Sequence, residues 1–169
     1  MFVFPVYMRI KIFAAGGTFD KVYDEYSGSL IFTETYLSEM LKIARSKVDV
    51  NIETIILMDS LDMQDHHRQL ISSKCRECIE DRILITHGTD TMVETAKVIA
   101  EEKYDKTIVL TGAMRPYDFG KSDALYNLGT GLAFTQVMPS GVYIAMNGLL
   151  FNYDNVRKNK DKGEFETIK

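Results

Sequence analysis

The sequence has no excess of positive charge, no long apolar run and very little cysteine. Its 20 Lys and Arg against 24 Asp and Glu leave a formal net charge of −4, with the basic residues interspersed among acids. No basic field is available to collect phosphate backbones, which argues against a nucleic-acid partner. No apolar run is long enough to cross a bilayer. The apolar opening MFVFPVY lacks a basic leader and is too short for a signal core. The expectation is a soluble cytoplasmic protein without a membrane partner, with Met8 a possible true start.

Cysteine is confined to Cys75 and Cys78, a C-x-x-C inside ISSKCRECIED. A redox pair needs its thiol at a helix N-terminus directly after a strand, where the thiolate is favoured. These two sit well inside a run of helical period. Two cysteines cannot supply the four ligands of a structural zinc, and His66 and His67 are too loosely placed to complete a set. They read as reduced thiols on a helix, with no metal expected. Gly16 and Gly17 do not open a dinucleotide turn, which needs G-x-G-x-x-G spacing, and are not followed by the Gly-Lys-Ser/Thr that a phosphate loop would place after them.

What is present is apolar material in regular portions. With 46% hydrophobic residues in 169, the chain reads as one globular domain over 1–169. MRIKIFAA (8–15), VNIETIILM (50–58), RILITH (82–87), TIVLTG (107–112) and GVYIAMN (141–147) are short runs rich in Val, Ile, Leu and Phe. They read as strands buried on both faces. Helix-period segments at about 34–46, 63–80, 92–103 and 121–137 alternate with them. The pattern predicts an open, mostly parallel α/β sheet of Rossmann or flavodoxin-like type, three layers deep with helices on both faces. The lysine-rich tail from Lys158 onward is expected to be partly solvated.

In such sheets ligands bind outside the carboxyl ends of the strands. The first strand ends in Gly16-Gly17-Thr18, the second in Asp59-Ser60-Leu61-Asp62, the third in His87-Gly88-Thr89-Asp90-Thr91 and the fourth in Gly112-Ala113-Met114-Arg115-Pro116. Any one of these hydroxyls or carboxylates could be a helix cap. Four strand ends sharing the same chemistry point instead to a site.

These segments, GGT, DSLDM, HGTDTMVETA and TGAMRP, resemble in order the signature segments of bacterial-type L-asparaginases. The resemblance implies hydrolysis of L-asparagine to aspartate and ammonia through a threonine nucleophile, without metal or cofactor. It places the first catalytic threonine at Thr18, the second threonine and its carboxylate at Thr89 and Asp90, and the substrate-carboxylate serine at Ser60. Asp62 would brace that loop. GVYIAMNGLLFNYDNVRKN resembles the segment that ends in the family's catalytic lysine, here Lys158. The loop tyrosine falls on Tyr23 or Tyr26, with Tyr23 favoured because the compact GGTFDKVY resembles short relatives.

The resemblance also marks departures. The family's smaller second domain has no counterpart before Lys169, so a homo-oligomer, most simply a two-fold dimer, is expected to complete the site. Leu61 stands where a polar residue is usual. Two other readings share the residues: an amidase on another primary amide such as glutamine, and a non-catalytic amino-acid-binding module. Chemically, a threonine hydroxyl must pass its proton to a base. Tyr23 could relay it from Thr18, and Lys158 could receive it as a neutral amine beside Thr89 and Asp90. Backbone N–H groups around Gly88 to Thr89 and at Ala113 could receive the developing oxyanion.

Overall fold

A computed structural model describes residues 8–169; the opening stretch read above as too short for a signal lies outside them. In chain order the elements are β1 Ile10–Ala14, the hairpin β2 Lys21–Asp24 and β3 Ser29–Phe32, α1 Leu37–Ile43, β4 Val50–Thr54, α2 Asp65–Glu77, β5 Arg82–Thr86, α3 Met92–Glu101, β6 Thr107–Thr111, α4 Ala124–Val137, β7 Gly141–Met146, β8 Leu149–Asn152, and the hairpin β9 Arg157–Asn159 and β10 Glu164–Glu166. The main sheet runs β4-β1-β5-β6-β7-β8. Every pairing in it is parallel except β7 with β8.

The alternation of side chains along each strand supplies two cores. Phe13, Ile83, Ile85, Ile108, Leu110, Ile144 and Met146 face one way and meet Ile71 and Cys75 of α2 and Met92, Ala96 and Ile99 of α3. Ile10, Ile12, Ala14, Leu84, Val109 and Ala145 face the other way and meet Leu37 and Met40 of α1 and Leu128 and Leu132 of α4. The result is the α/β/α layering expected from the apolar runs. The five parallel strands take the spatial order second, first, third, fourth, fifth. Chain direction across the sheet therefore reverses beside β1, and a crevice opens between the carboxyl ends of β1 and β5.

Three local features differ from the sequence reading. β4 lies at the sheet edge and its residues are only half-buried, with Thr54 exposed, because nothing pairs with its outer side. Leu149–Asn152 forms an additional antiparallel strand, turned back by Asn147 and Gly148, whose φ angles of 54° and 84° suit an Asn-Gly hairpin. The tail, partly solvated as expected, also forms a hairpin that the sequence reading did not foresee, with Val156 and Phe165 buried in the α2–α3 core. Among the described residues no helix is long and apolar enough to cross a membrane. Cys75 and Cys78 are free, and burial pushes both thiols up, away from the reactive thiolate.

Candidate active site

Two glycines after β1 let three strand ends touch. Gly17 has φ 79° and ψ −174°, a conformation open essentially to glycine alone. A Cβ there would lie 2.3 Å from the Cα and N of Gly88. Its N–H donates to the Met58 carbonyl at 2.9 Å. Gly88 in turn has room for no side chain, because a Cβ would lie 2.5 Å from Ser60 Oγ. The turns carrying Thr18, Ser60 and Thr89 are thus stacked backbone on backbone at the crevice. Gly112, after β6, closes the row: a Cβ there would lie 3.2 Å from Thr89 Cγ2.

Lys158 reaches this row from the terminal hairpin. It pairs directly with Phe165 in the β9–β10 ladder, so the two side chains share a face and the burial of Phe165 turns Lys158 inward with it. Its Nζ donates to Thr89 Oγ1 at 2.7 Å and to Asp90 Oδ1 at 2.9 Å. Thr89 is 4% exposed. Thr18, at the head of a one-turn 3₁₀ helix, is half-buried. Ser60 is buried, and its Oγ has no hydrogen-bond partner among the described residues. A buried hydroxyl left without a partner is costly unless something binds there.

His87 sets the peptide before Thr89. The ring is fully buried, with Nδ1 2.8 Å from the Gly88 carbonyl and Nε2 2.8 Å from Thr95 Oγ1. A carbonyl only accepts, so Nδ1 carries the proton and Nε2 accepts from Thr95. Burial pushes the imidazole down to about 4, which keeps it neutral in that tautomer. Because N–H and C=O of a trans peptide point in opposite directions, holding the Gly88 oxygen on His87 aims the Thr89 N–H the other way.

Ala113 is buried within a frame that the sequence reading missed. Asp123 accepts from the N–H groups of Met114 and Arg115, and Asn127 Nδ2 donates to the Gly112 carbonyl and to Asp123. Asn127 Oδ1 also accepts from the Asn147 N–H at 2.9 Å. An Asp just ahead of α4 reads as that helix's own cap; here it caps the preceding turn.

Three expectations need revising in detail. Asp62 is exposed, and its side chain makes no hydrogen bond among the described residues. The brace of the serine turn is Asp59, which accepts from the Leu61 N–H at 3.0 Å and pairs with Lys21. Tyr23 is 57% exposed and its hydroxyl makes no hydrogen bond among the described residues; it lies 3.9 Å from the Cβ position of Gly28 in its own hairpin turn. Tyr26 is 92% exposed. The loop expected after Thr18 is a two-stranded hairpin, with Tyr23 opposite Leu30.

Asp20, two residues after Thr18, is fully buried. Its Oδ1 accepts from Thr35 Oγ1 at 3.0 Å and from the Tyr36 N–H at 3.2 Å, while Oδ2 has no partner. Burial pushes its carboxyl from 3.8 up to about 6. The folded state therefore holds this proton more tightly than the unfolded chain. The group costs nothing below about pH 3.8, costs progressively more as pH rises, and carries its full cost above about pH 6. Asp20→Asn removes that dependence. The stability difference between variant and wild type should grow in the variant's favour by roughly 2 kcal/mol from pH 4 to pH 7. Denaturant midpoints across that range measure it, and a difference independent of pH would contradict the assignment.

The charges at the crevice balance, with Lys158 on Asp90 and Lys21 on Asp59. Among the described residues no group of three or more His, Cys, Asp or Glu is placed to hold a metal ion. A cleft of about 570 Å³ lies at the opposite end of the sheet, lined by Arg9, Asp81, Arg82 and Asp105. It gathers no paired hydroxyl and amine, whereas the carboxyl ends do.

Known proteins share this fold. The chain is 32% identical over 163 residues to the probable periplasmic L-asparaginase of Haemophilus influenzae, covering 89% of the chain and 46% of that protein. It is 36% identical over 93 residues to a glutaminase-asparaginase of Pseudomonas fluorescens biotype A, covering 53% of the chain and 24% of that protein. The solved thermostable L-asparaginase of Thermococcus kodakarensis superposes with a TM-score of 0.85 at 27% identity, over 95% of the chain and 51% of that structure. The chain thus spans about half the length, or less, of the relatives it matches. The family described as Asparaginase, N-terminal matches residues 9–167, and the chain belongs to that family.

Proposed function

We propose that this protein is an amidohydrolase that cleaves L-asparagine to L-aspartate and ammonia through a threonine nucleophile. The observation that carries the reading is the contact of Lys158 Nζ with both Thr89 Oγ1 and Asp90 Oδ1, beside Thr18 and the unpartnered Ser60 hydroxyl. A hydroxyl is a weak nucleophile without a base, and Thr89 already touches an amine. Thr18 is the second hydroxyl, across the contact of Gly17 with Gly88. In the reaction a threonine oxygen bonds to the side-chain carbonyl carbon as the carbon–nitrogen bond breaks. The hydroxyl proton passes through Lys158 to the departing ammonia. Water then cleaves the ester and returns a proton to the threonine. Ser60 Oγ offers a hydrogen bond to the substrate carboxylate, Asp90 attracts the substrate ammonium, and the backbone at Thr89 and Ala113 lies beside the reacting amide. Tyr23 takes part only if its hairpin side chain turns inward toward Thr18.

Ammonia release from L-asparagine by the purified protein, with a chelator present throughout, tests the reading. We expect turnover that the chelator leaves unchanged; a chelator-sensitive rate restored by zinc, or none at all, would refute it. Glutamine belongs in the same assay. Leu61, 64% exposed beside Ser60, leaves the serine turn without a polar side chain at that position, and one relative is named a glutaminase-asparaginase. A binding module would need Ser60 and Asp90 but not an amine on Thr89.

We also propose that residues 1–169 act as one domain and that a second copy covers the open side of the site, most simply in a two-fold dimer. Tyr23 and Leu30 on the β2–β3 hairpin, Leu61 beside Ser60, and Phe119 in the segment after β6 all stand exposed. Sedimentation of the active protein as a monomer would remove that part of the proposal.

A further inference from the structure

Asp20 lies two residues after Thr18, is fully buried, and takes no part in the chemistry described above. Its carboxylate joins the two feet of the β2–β3 hairpin. Asp20 immediately precedes β2, and the groups that donate to it, Thr35 Oγ1 and the Tyr36 N–H, follow β3. The far side of this clamp is itself anchored. The Tyr36 ring tilts against Tyr117 with centroids 5.4 Å apart, and its hydroxyl donates to Asp118 in the loop after β6. The next residue, Lys21, pairs in the opposite direction with Asp59, beside Ser60. Thr18 is thus held from both ends: upstream by Gly17 on Met58 and Gly88, and downstream by buried Phe19 and the Asp20 clamp.

A carboxylate with one buried oxygen left without a partner is a poor device for stability, since desolvation and the missing hydrogen bond both count against it. Its geometric effect is definite. The clamp stops the turn that begins at Thr18 from swinging with the exposed hairpin. We propose that Asp20 is a positioning residue that fixes the Thr18 hydroxyl relative to Thr89 and Lys158. The proposal rests on the reading that Thr18 takes part in amide hydrolysis. A hydroxyl displaced by about an ångström loses reaction rate on the bound substrate rather than substrate affinity.

The test is steady-state hydrolysis of L-asparagine by wild type, Asp20→Ala, Asp20→Asn and Thr35→Val, each checked for folding by circular dichroism. Asp20→Ala should lower kcat by about 30-fold with KM changed by less than about threefold. Asp20→Asn keeps an oxygen that can accept from Thr35 and Tyr36, and should retain at least about a third of kcat. Thr35→Val, which removes one of the two donors, should fall between. A folded Asp20→Ala with kcat within about twofold of wild type, or an Asp20→Asn loss as deep as that of Asp20→Ala, would overturn the proposal. Should Asp20→Ala fail to fold, Thr35→Val decides, and an unchanged kcat there overturns it. Wild type inactive on every amide would instead remove the underlying reading, an outcome visible without any variant.

Discussion

Lys158→Met should leave a folded protein with kcat reduced about 10³-fold, roughly 4 kcal/mol of transition-state stabilisation. The substitution keeps the length of the stem and removes the amine that contacts Thr89 and Asp90. Its cost in stability should be small, about 1 kcal/mol, because Asp90 is part-exposed and can turn to water. Lys160→Met, on an exposed side chain two residues on, should change neither rate nor stability. Truncation after Arg157 is not an equivalent experiment. It also removes Phe165 from the core, so loss of activity there would mix unfolding with chemistry. Measuring kcat and denaturant midpoint together separates the two. A Lys158→Met enzyme as active as wild type would remove Lys158 from the mechanism.

The second large effect belongs to the threonines. Thr18→Ala and Thr89→Val should each lower kcat/KM by about 10³-fold or more while the protein stays folded. Thr89→Val preserves shape in a buried position and forfeits one hydrogen bond from Lys158, a stability change of about 1 kcal/mol. Thr18 makes no side-chain hydrogen bond among the described residues, so its loss should cost less still. The double variant should be little worse than either single one, because residues acting on one reacting centre are not additive. A variant keeping more than about a tenth of wild-type kcat/KM would remove that residue from the mechanism.

Much of this site was legible because buried parallel strands announce themselves. Five apolar runs located β1, β4, β5, β6 and β7, and the residues after four of them proved to be the walls of one crevice. Ser60, Thr89 and Asp90 were found in that way. Lys158 was not legible from composition. It stands in a charged tail where a single apolar residue, Phe165, supplies the burial that turns it inward, and only the resemblance to a family marked it. Asp20 carries no signal in the sequence, because its partners, Thr35 and Tyr36, are brought close by a hairpin that alternation alone does not reveal. Asp59 and Asp62 both flank the serine, and only geometry shows that Asp59 holds the turn. Tyr23 is favoured as the loop tyrosine by the likeness of GGTFDKVY to short relatives, and such likeness carries no information about side-chain direction within a hairpin.

Partitioning with hydroxylamine reports on a covalent threonine ester formed at this crevice. L-Asparagine and the β-methyl ester of L-aspartate would pass through the same ester on the enzyme. With a fixed hydroxylamine concentration, the ratio of aspartyl hydroxamate to aspartate should therefore be identical for the two substrates although their rates differ. Ratios that depend on the leaving group, or hydrolysis with no hydroxamate at any hydroxylamine concentration, would contradict a shared threonine ester.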